Sequence, residues 1–263
     1  GIIFVNELDE VPRGARVIFS AHGVSPEVRA AANARNLKII DATCPLVTKV
    51  HREAIKYARQ GCTIVLIGHS DHDEVIGTLG EAPGSITVLD PEGDIEDLQV
   101  PDPSKIVYLT QTTLSLNDTR RIVDRLRQRF PKIKAPGSED ICYATTNRQE
   151  AVKRVAPKVD AMIVVGSRNS SNSLRLVEVA ERAGCPRAML VDRASEIPWD
   201  RLEGIGSLGI SAGASAPEAL VDEVIEAFAE RYDIKVEASG AQRESIVFNL
   251  PRELRVATGA SAA

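Results

Sequence analysis

Short apolar runs alternate with amphipathic segments from one end of the chain to the other. Runs of mostly aliphatic residues at 2–5, 16–20, 37–40, 63–67, 86–89, 106–110, 161–165, 188–191 and 207–211 predict strands. Several of the intervening segments carry helix-start signals. Ser25-Pro26-Glu27 puts an N-cap serine before a proline at the first helical position. Ser115-Leu116-Asn117-Asp118 has capping-box spacing and leads into Ile122, Val123, Leu126 and Phe130 at helical period. Ala216-Pro217-Glu218 opens another helix. Strands alternating with helices predict βαβ units, hence an α/β fold with one largely parallel sheet or several small ones. Residues 257–263 are small and unpatterned and read as a frayed tail.

Composition narrows the classes of function. With 43% hydrophobic and 26% charged residues, 18 Gly and 14 Pro in 263 residues, a wholly disordered or fibrous chain is excluded. The net charge of −5 argues against nucleic acid as the main partner. The longest apolar runs, Thr63–Ile67 and Ala161–Val165, are strand-sized, so no membrane span and a soluble chain are expected. Four cysteines (44, 62, 142, 185) are too few for a secreted disulfide scaffold, and no signal peptide opens the chain. A reducing, cytoplasmic location is the expectation. Residue 1 is Gly, leading straight into Ile2–Val5, where a native start would show Met; this reads as a fragment.

A repeat reorganises the picture. Asp41-Ala-Thr-Cys44-Pro-Leu-Val-Thr48 resembles Asp140-Ile-Cys142-Tyr-Ala-Thr-Thr146, and 98 residues separate the two cysteines. Each is followed, 28 residues on, by a polar loop after a strand: His72 in Gly68–Glu74, Ser170 in Gly166–Ser173. A third element follows in each copy, Leu109–Ser115 and Ile210–Ser215. Phe19-Ser-Ala-His22-Gly-Val-Ser25 is another copy of that element, without its own upstream cysteine. Two whole copies and the back half of a third are therefore expected, with a further cysteine some 40 to 55 residues before Gly1 (roughly, by the repeat count).

All these loops would lie beyond the carboxyl ends of strands, where α/β sheets bind ligands. Hydroxyls, amides and backbone N–H groups at helix N-termini suit a phosphate or diphosphate without many basic side chains. Each loop alone is also explained by helix capping; five in register point to one shared anionic site. Cys62 and Cys185 read as buried packing residues. Cys44 and Cys142 begin equivalent helices, where a thiol is a better nucleophile or metal ligand. Two such thiolates would make a disulfide or half a zinc site; with a third, they would hold three irons of a 4Fe–4S cluster and leave the fourth open. Gly204-Ile-Gly206-Ser-Leu-Gly209 matches a dinucleotide fingerprint as letters but precedes its strand, so it is set aside. His69, His72 and Glu74 offer a zinc-hydrolase alternative, and a non-enzymatic phosphate-binding module is a second one. The basic run Arg120, Arg121, Arg125, Arg127, Arg129, Lys132 and Lys134 is a solvated face or a dock for an acidic electron donor.

Ser20-Ala-His22-Gly, Asp41–His51, Thr110–Ser115, Ile141–Ala151, Gly166–Ser173, Ser211–Pro217 and Ile246–Val256 closely resemble the 4-hydroxy-3-methylbut-2-enyl diphosphate reductase family over nearly the whole chain. The resemblance implies a trefoil of three pseudo-repeated α/β domains around a central iron–sulfur site. Here these would be 1–43 (an incomplete first domain), 44–141 and 142–232, with 233–263 as C-terminal segment and tail. It implies reductive removal of an allylic hydroxyl, giving isopentenyl and dimethylallyl diphosphates, with electrons from a ferredoxin or flavodoxin. By motif, Cys44 and Cys142 look like ligands of a 4Fe–4S cluster. His22, His72, Ser170, Ser171, Asn172 and Ser215 look like the substrate-holding set, and Glu74 with Thr112 like the proton-delivery pair. The family's Gly-Phe-Cys-Ala-Gly element, with the first cluster cysteine, and a further His are absent and would precede Gly1, so this chain by itself is expected to be inactive or nearly so. Asp73 stands where the family more often has Pro.

Overall fold

The strands Thr63–Ile67 and Ala161–Val165 are apolar at every position but Thr63 because both of their faces are covered. The computed structural model describes residues 1–239 and 246–255. It forms two compact units: Gly1–Thr112, Thr119–Asp140 and residues 246–255 make one; Thr113–Asp118 and residues 141–239 belong to the other.

The first unit holds two parallel sheets. One pairs β1 (Arg16–Phe19) with β2 (Lys38–Asp41), connected by α1 (Pro26–Ala34). The other has β3 (Thr63–Ile67) at its centre, flanked by β4 (Ile86–Leu89) and β5 (Ile106–Thr110). Helix α2 (Pro45–Arg59) precedes β3, α3 (Asp73–Glu81) joins β3 to β4, and α4 (Leu116–Arg129) follows β5. Ile64 to Ile67 are fully buried, as a central strand with cover on both faces requires.

The second unit repeats the pattern. Helix α5 (Tyr143–Val155) leads to β6 (Ala161–Val165), the centre of a parallel sheet with β7 (Ala188–Val191) and β8 (Leu208–Ala212). Helix α6 (Ser171–Arg182) joins β6 to β7, and α7 (Glu218–Ala229) follows β8. Strand orders β4-β3-β5 and β7-β6-β8 are the same order in two copies. The α/β class with several small parallel sheets is thus as the pattern predicts. A short helix, α8 (Arg252–Arg255), belongs to the first unit.

The start signals act as read. Ser25 Oγ accepts from Val28 N–H at 3.4 Å, and Ser115 Oγ accepts from Asp118 N–H at 3.3 Å. One expected strand is absent. Residues 2–5 form no strand; Ile3 and Phe4 are 87% and 93% exposed. An apolar run becomes a strand only where a neighbour takes its backbone hydrogen bonds, and among the described residues the β1–β2 pair does not extend to it. The tail read at 257–263 lies outside the described residues. Among those described, no helix is long and apolar enough to cross a membrane.

Candidate functional site

In the first unit, the loops after β1 and β3 carry the candidate histidines. His22 is exposed and His72 half-buried, their rings meeting edge-on with centroids 5.2 Å apart. His72 is the N-cap of α3, and its Nδ1 accepts from Glu74 N–H at 3.2 Å. That bond makes Nδ1 the acceptor and leaves Nε2 to donate from the neutral ring. Burial, and next the neighbouring His22, hold the His72 pKa below its ordinary value against the opposing pull of Asp73. Asp73 itself is exposed and sits 3.6 Å from His22 Nδ1.

Glu74, two residues past the cap, is 2% exposed. Thr112, just beyond the end of β5, donates its N–H to Oε1 at 2.7 Å and its hydroxyl to Oε2 at 3.0 Å. Burial raises the carboxyl to about 7, against these two bonds, with the charge of Asp140 adding to the rise. Glu74 is therefore an acid that can hold a proton near neutrality and release it.

The same strand end serves a second acid. Thr110 N–H donates to Asp140 Oδ2 at 2.9 Å, and Lys49 Nζ on α2 meets Oδ1 at 2.5 Å. The Asp140 side chain is fully buried, which pushes its pKa up to about 6 despite Lys49. Between Thr110 and Thr112, the Gln111 amide oxygen accepts from His69 N–H at 3.1 Å. Motif reading missed Asp140 and Gln111. The available signal was the aspartate preceding the cysteine in both repeats: Asp41 likewise accepts from Thr43 N–H at 3.0 Å.

Cys44 is the N-cap of α2, and its N–H donates to Ala21 O at 3.0 Å, one residue from His22. In the second unit Cys142 is the N-cap of α5. Neither thiol caps its helix or enters a disulfide, and both are half-buried. Cys62 and Cys185 are buried in the two cores, as packing residues should be. The helix-start pair is the donor set suited to an iron–sulfur cluster, which takes thiolates. Among the described residues, no three His, Cys, Asp or Glu side chains gather to hold a metal ion. In particular His69 pairs with Asp90 at 3.1 Å while Glu74 turns to Thr112, so the zinc alternative finds no geometry.

Also in the second unit, Ser170 caps α6, its Oγ accepting from Ser173 N–H at 3.3 Å. Ser171 Oγ lies 3.3 Å from Thr113 Oγ. Asn172 is 4% exposed, and among the described residues neither its amide oxygen nor its nitrogen has a hydrogen-bond partner. Ser215 is exposed in the turn after β8. Asn172 stands 98 residues after Glu74, at the same place in the repeat, and the strand registers put Ala214 where Thr112 stands. With no hydroxyl there, the amide lacks the kind of partner Glu74 has in Thr112, and a buried polar group needs one from outside the chain, water or ligand. At least three of the seven residues of the basic run on and after α4 have acidic partners: Arg125 pairs with Asp94 (3.3 Å), Arg127 with Asp124 (3.7 Å) and Arg129 with Glu96 (3.6 Å).

Residues 1–229 match the LytB protein family. The chain is 59% identical over 259 residues to the 4-hydroxy-3-methylbut-2-enyl diphosphate reductase of Beijerinckia indica, covering 98% of this chain and 81% of that protein. It is 58% identical to the enzyme of the same name from Methylocella silvestris, covering 98% and 82%. The solved E-1-hydroxy-2-methyl-but-2-enyl-4-diphosphate reductase of Plasmodium falciparum superposes with a TM-score of 0.90 at 37% identity, over 97% of this chain and 81% of that one.

Proposed function

The chain belongs to the LytB family, and we propose that it catalyses the reduction of 4-hydroxy-3-methylbut-2-enyl diphosphate to isopentenyl and dimethylallyl diphosphates. The observation that carries the chemistry is Glu74: a buried carboxyl raised to about 7 and gripped at both oxygens by Thr112. Losing an allylic hydroxyl requires a proton on the leaving oxygen, and a carboxyl poised near neutrality supplies it. Thr112 fixes the direction in which that proton is presented. His22 and His72, with Ser170, Ser171, Asn172 and Ser215, bind and orient the diphosphate; the orphaned Asn172 amide supports this, since an anion ligand would satisfy its N–H₂ group.

Cys44 and Cys142 would hold a 4Fe–4S cluster. When bound, that cluster would relay two electrons, one at a time, from an external donor and would offer a Lewis acid to the substrate. The reading carries a cytoplasmic location, an electron donor of ferredoxin or flavodoxin type, and repeats at 1–43, 44–141 and 142–232 followed by 233–263.

The test is anaerobic reconstitution with iron and sulfide, in the 263-residue chain and in the same chain extended by the parts of the Beijerinckia indica relative outside the match. Iron content, electron paramagnetic resonance and reduced-dye turnover are then measured. In the extended chain, a 4Fe–4S signal lost in C44S and in C142S is expected, with E74Q binding substrate but failing to turn it over. Full turnover by E74Q, or bound zinc in place of iron, would overturn the reading.

A further inference from the structure

Two glycines end adjacent strands of the second unit: Gly166 after β6 and Gly213 after β8. Each donates its N–H to a neighbouring strand, Gly166 to Val191 O and Gly213 to Val165 O, both at 2.9 Å. Neither has a positive φ, so neither is glycine for backbone reasons. The reason is Ser173, in the first turn of α6. A methyl group at either glycine would strike the Ser173 hydroxyl oxygen well inside van der Waals contact. That hydroxyl is buried, the residue being 1% exposed, and has no hydrogen-bond partner among the described residues.

The first unit solves the same packing problem differently. Counterparts of Gly166, Ser173 and Gly213 by repeat and strand register are Gly68, Val75 and Gln111. There an apolar side chain faces a large amide: a methyl on Gly68 would lie 2.7 Å from Val75 Cγ2 and 3.1 Å from Gln111 Cβ. In the second unit the large residue is gone and a small, polar one fills the wedge. The serine hydroxyl is held there by fit against two bare glycine surfaces and not by a hydrogen bond among the described residues.

We propose that Ser173 is a positioning residue, which by wedging against Gly166 and Gly213 sets the spacing of the two loops carrying Ser170–Asn172 and Ser215. The inference rests on the reading of those loops as a diphosphate site. Gly213 is glycine because the wedge needs its surface, and the turn it opens, closed by Ala216 N–H to Gly213 O at 3.0 Å, carries Ser215.

Substitution with rescue tests it. In G213A the new methyl meets the Ser173 hydroxyl but stands 3.4 Å from its Cβ, an ordinary contact. In G166A it also stands 2.9 Å from Cβ, which removing the hydroxyl does not relieve. Thermal unfolding and calorimetric titration with inorganic diphosphate, well below the unfolding range, are measured on the full chain. G213A is expected to lower both the unfolding temperature and the affinity, the latter at least tenfold. S173A/G213A should restore both, and S173A/G166A neither. Normal diphosphate affinity in folded G213A, or no rescue by S173A, would overturn the wedge. Rescue of the unfolding temperature in a chain whose wild type binds no diphosphate would instead overturn the diphosphate reading and reduce Ser173 to packing.

Discussion

Thr112 holds Glu74 by both carboxyl oxygens, with its N–H on one and its hydroxyl on the other. Two donors on a carboxylate favour the charged form, yet burial outweighs them and the group settles at about 7. The pair is thus a balance between desolvation and hydrogen bonding, and each side of it can be removed.

As the proton donor, Glu74 must be protonated, so turnover is expected to fall as pH rises through about 7. Thr112→Val removes one bond to the ionised form. It should move the descending limb to higher pH by about one unit, the worth of one such bond. The pH profile of kcat for wild type and T112V checks this; an unmoved or downward-moved limb would contradict it.

Stability follows the same group. Glu74 binds its proton more tightly folded (about 7) than at its ordinary 4.5. Its contribution is therefore fully present below 4.5 and is lost as pH rises through about 7. The difference corresponds to about 3 kcal/mol. Glu74→Gln cannot ionise, so it should exceed wild type in stability at pH 8 by up to about 3 kcal/mol and match it near pH 4.5. Urea denaturation at the two pH values measures the gap.

Lys49→Met leaves the fully buried Asp140 carboxylate without its cation, retaining only Thr110 N–H and the other neighbours. Breaking one side of such a pair costs about 3 kcal/mol. Since Asp140 takes up a proton near 6, the loss should shrink as pH is lowered to 5. Denaturation of K49M at pH 5 and pH 8 reads both effects.

Gly23 follows His22 with φ +78°, and a methyl there would lie 3.1 Å from His51 Cε1, 3.2 Å from Thr43 Cγ2 and 3.3 Å from Val47 Cγ1. Gly23→Ala carries about 1 kcal/mol of backbone strain and displaces His22. It should raise KM for the diphosphate substrate several-fold with a smaller effect on kcat, as loss of a binding contact does. Steady-state kinetics of the reconstituted variant decide it.

Much of this was legible in advance because it is local. Apolar runs marked eight strands, Ser25 and Ser115 marked helix starts, and the 98-residue spacing aligned His72 with Ser170. The strand expected at 2–5 failed because an apolar run says nothing of whether a partner strand is present. Asp140 was illegible for a related reason: its partners Thr110 and Lys49 lie 30 and 91 residues away. Ser173 looked like one more capping residue, and only the close approach of two strand ends shows that its side chain has another task.

Glu74 and Asn172 hold the same place in two stretches of chain 98 residues apart. A carboxylate at 172 would add a second titrating group and a second negative charge. Exchange of one oxygen for nitrogen preserves shape and withdraws that copy from proton traffic. A neutral amide needs no hydroxyl to set a proton's direction, and Ala214 stands where Thr112 does. Two sheets of the same strand order thus carry one position that trades protons and one that stays neutral at every pH.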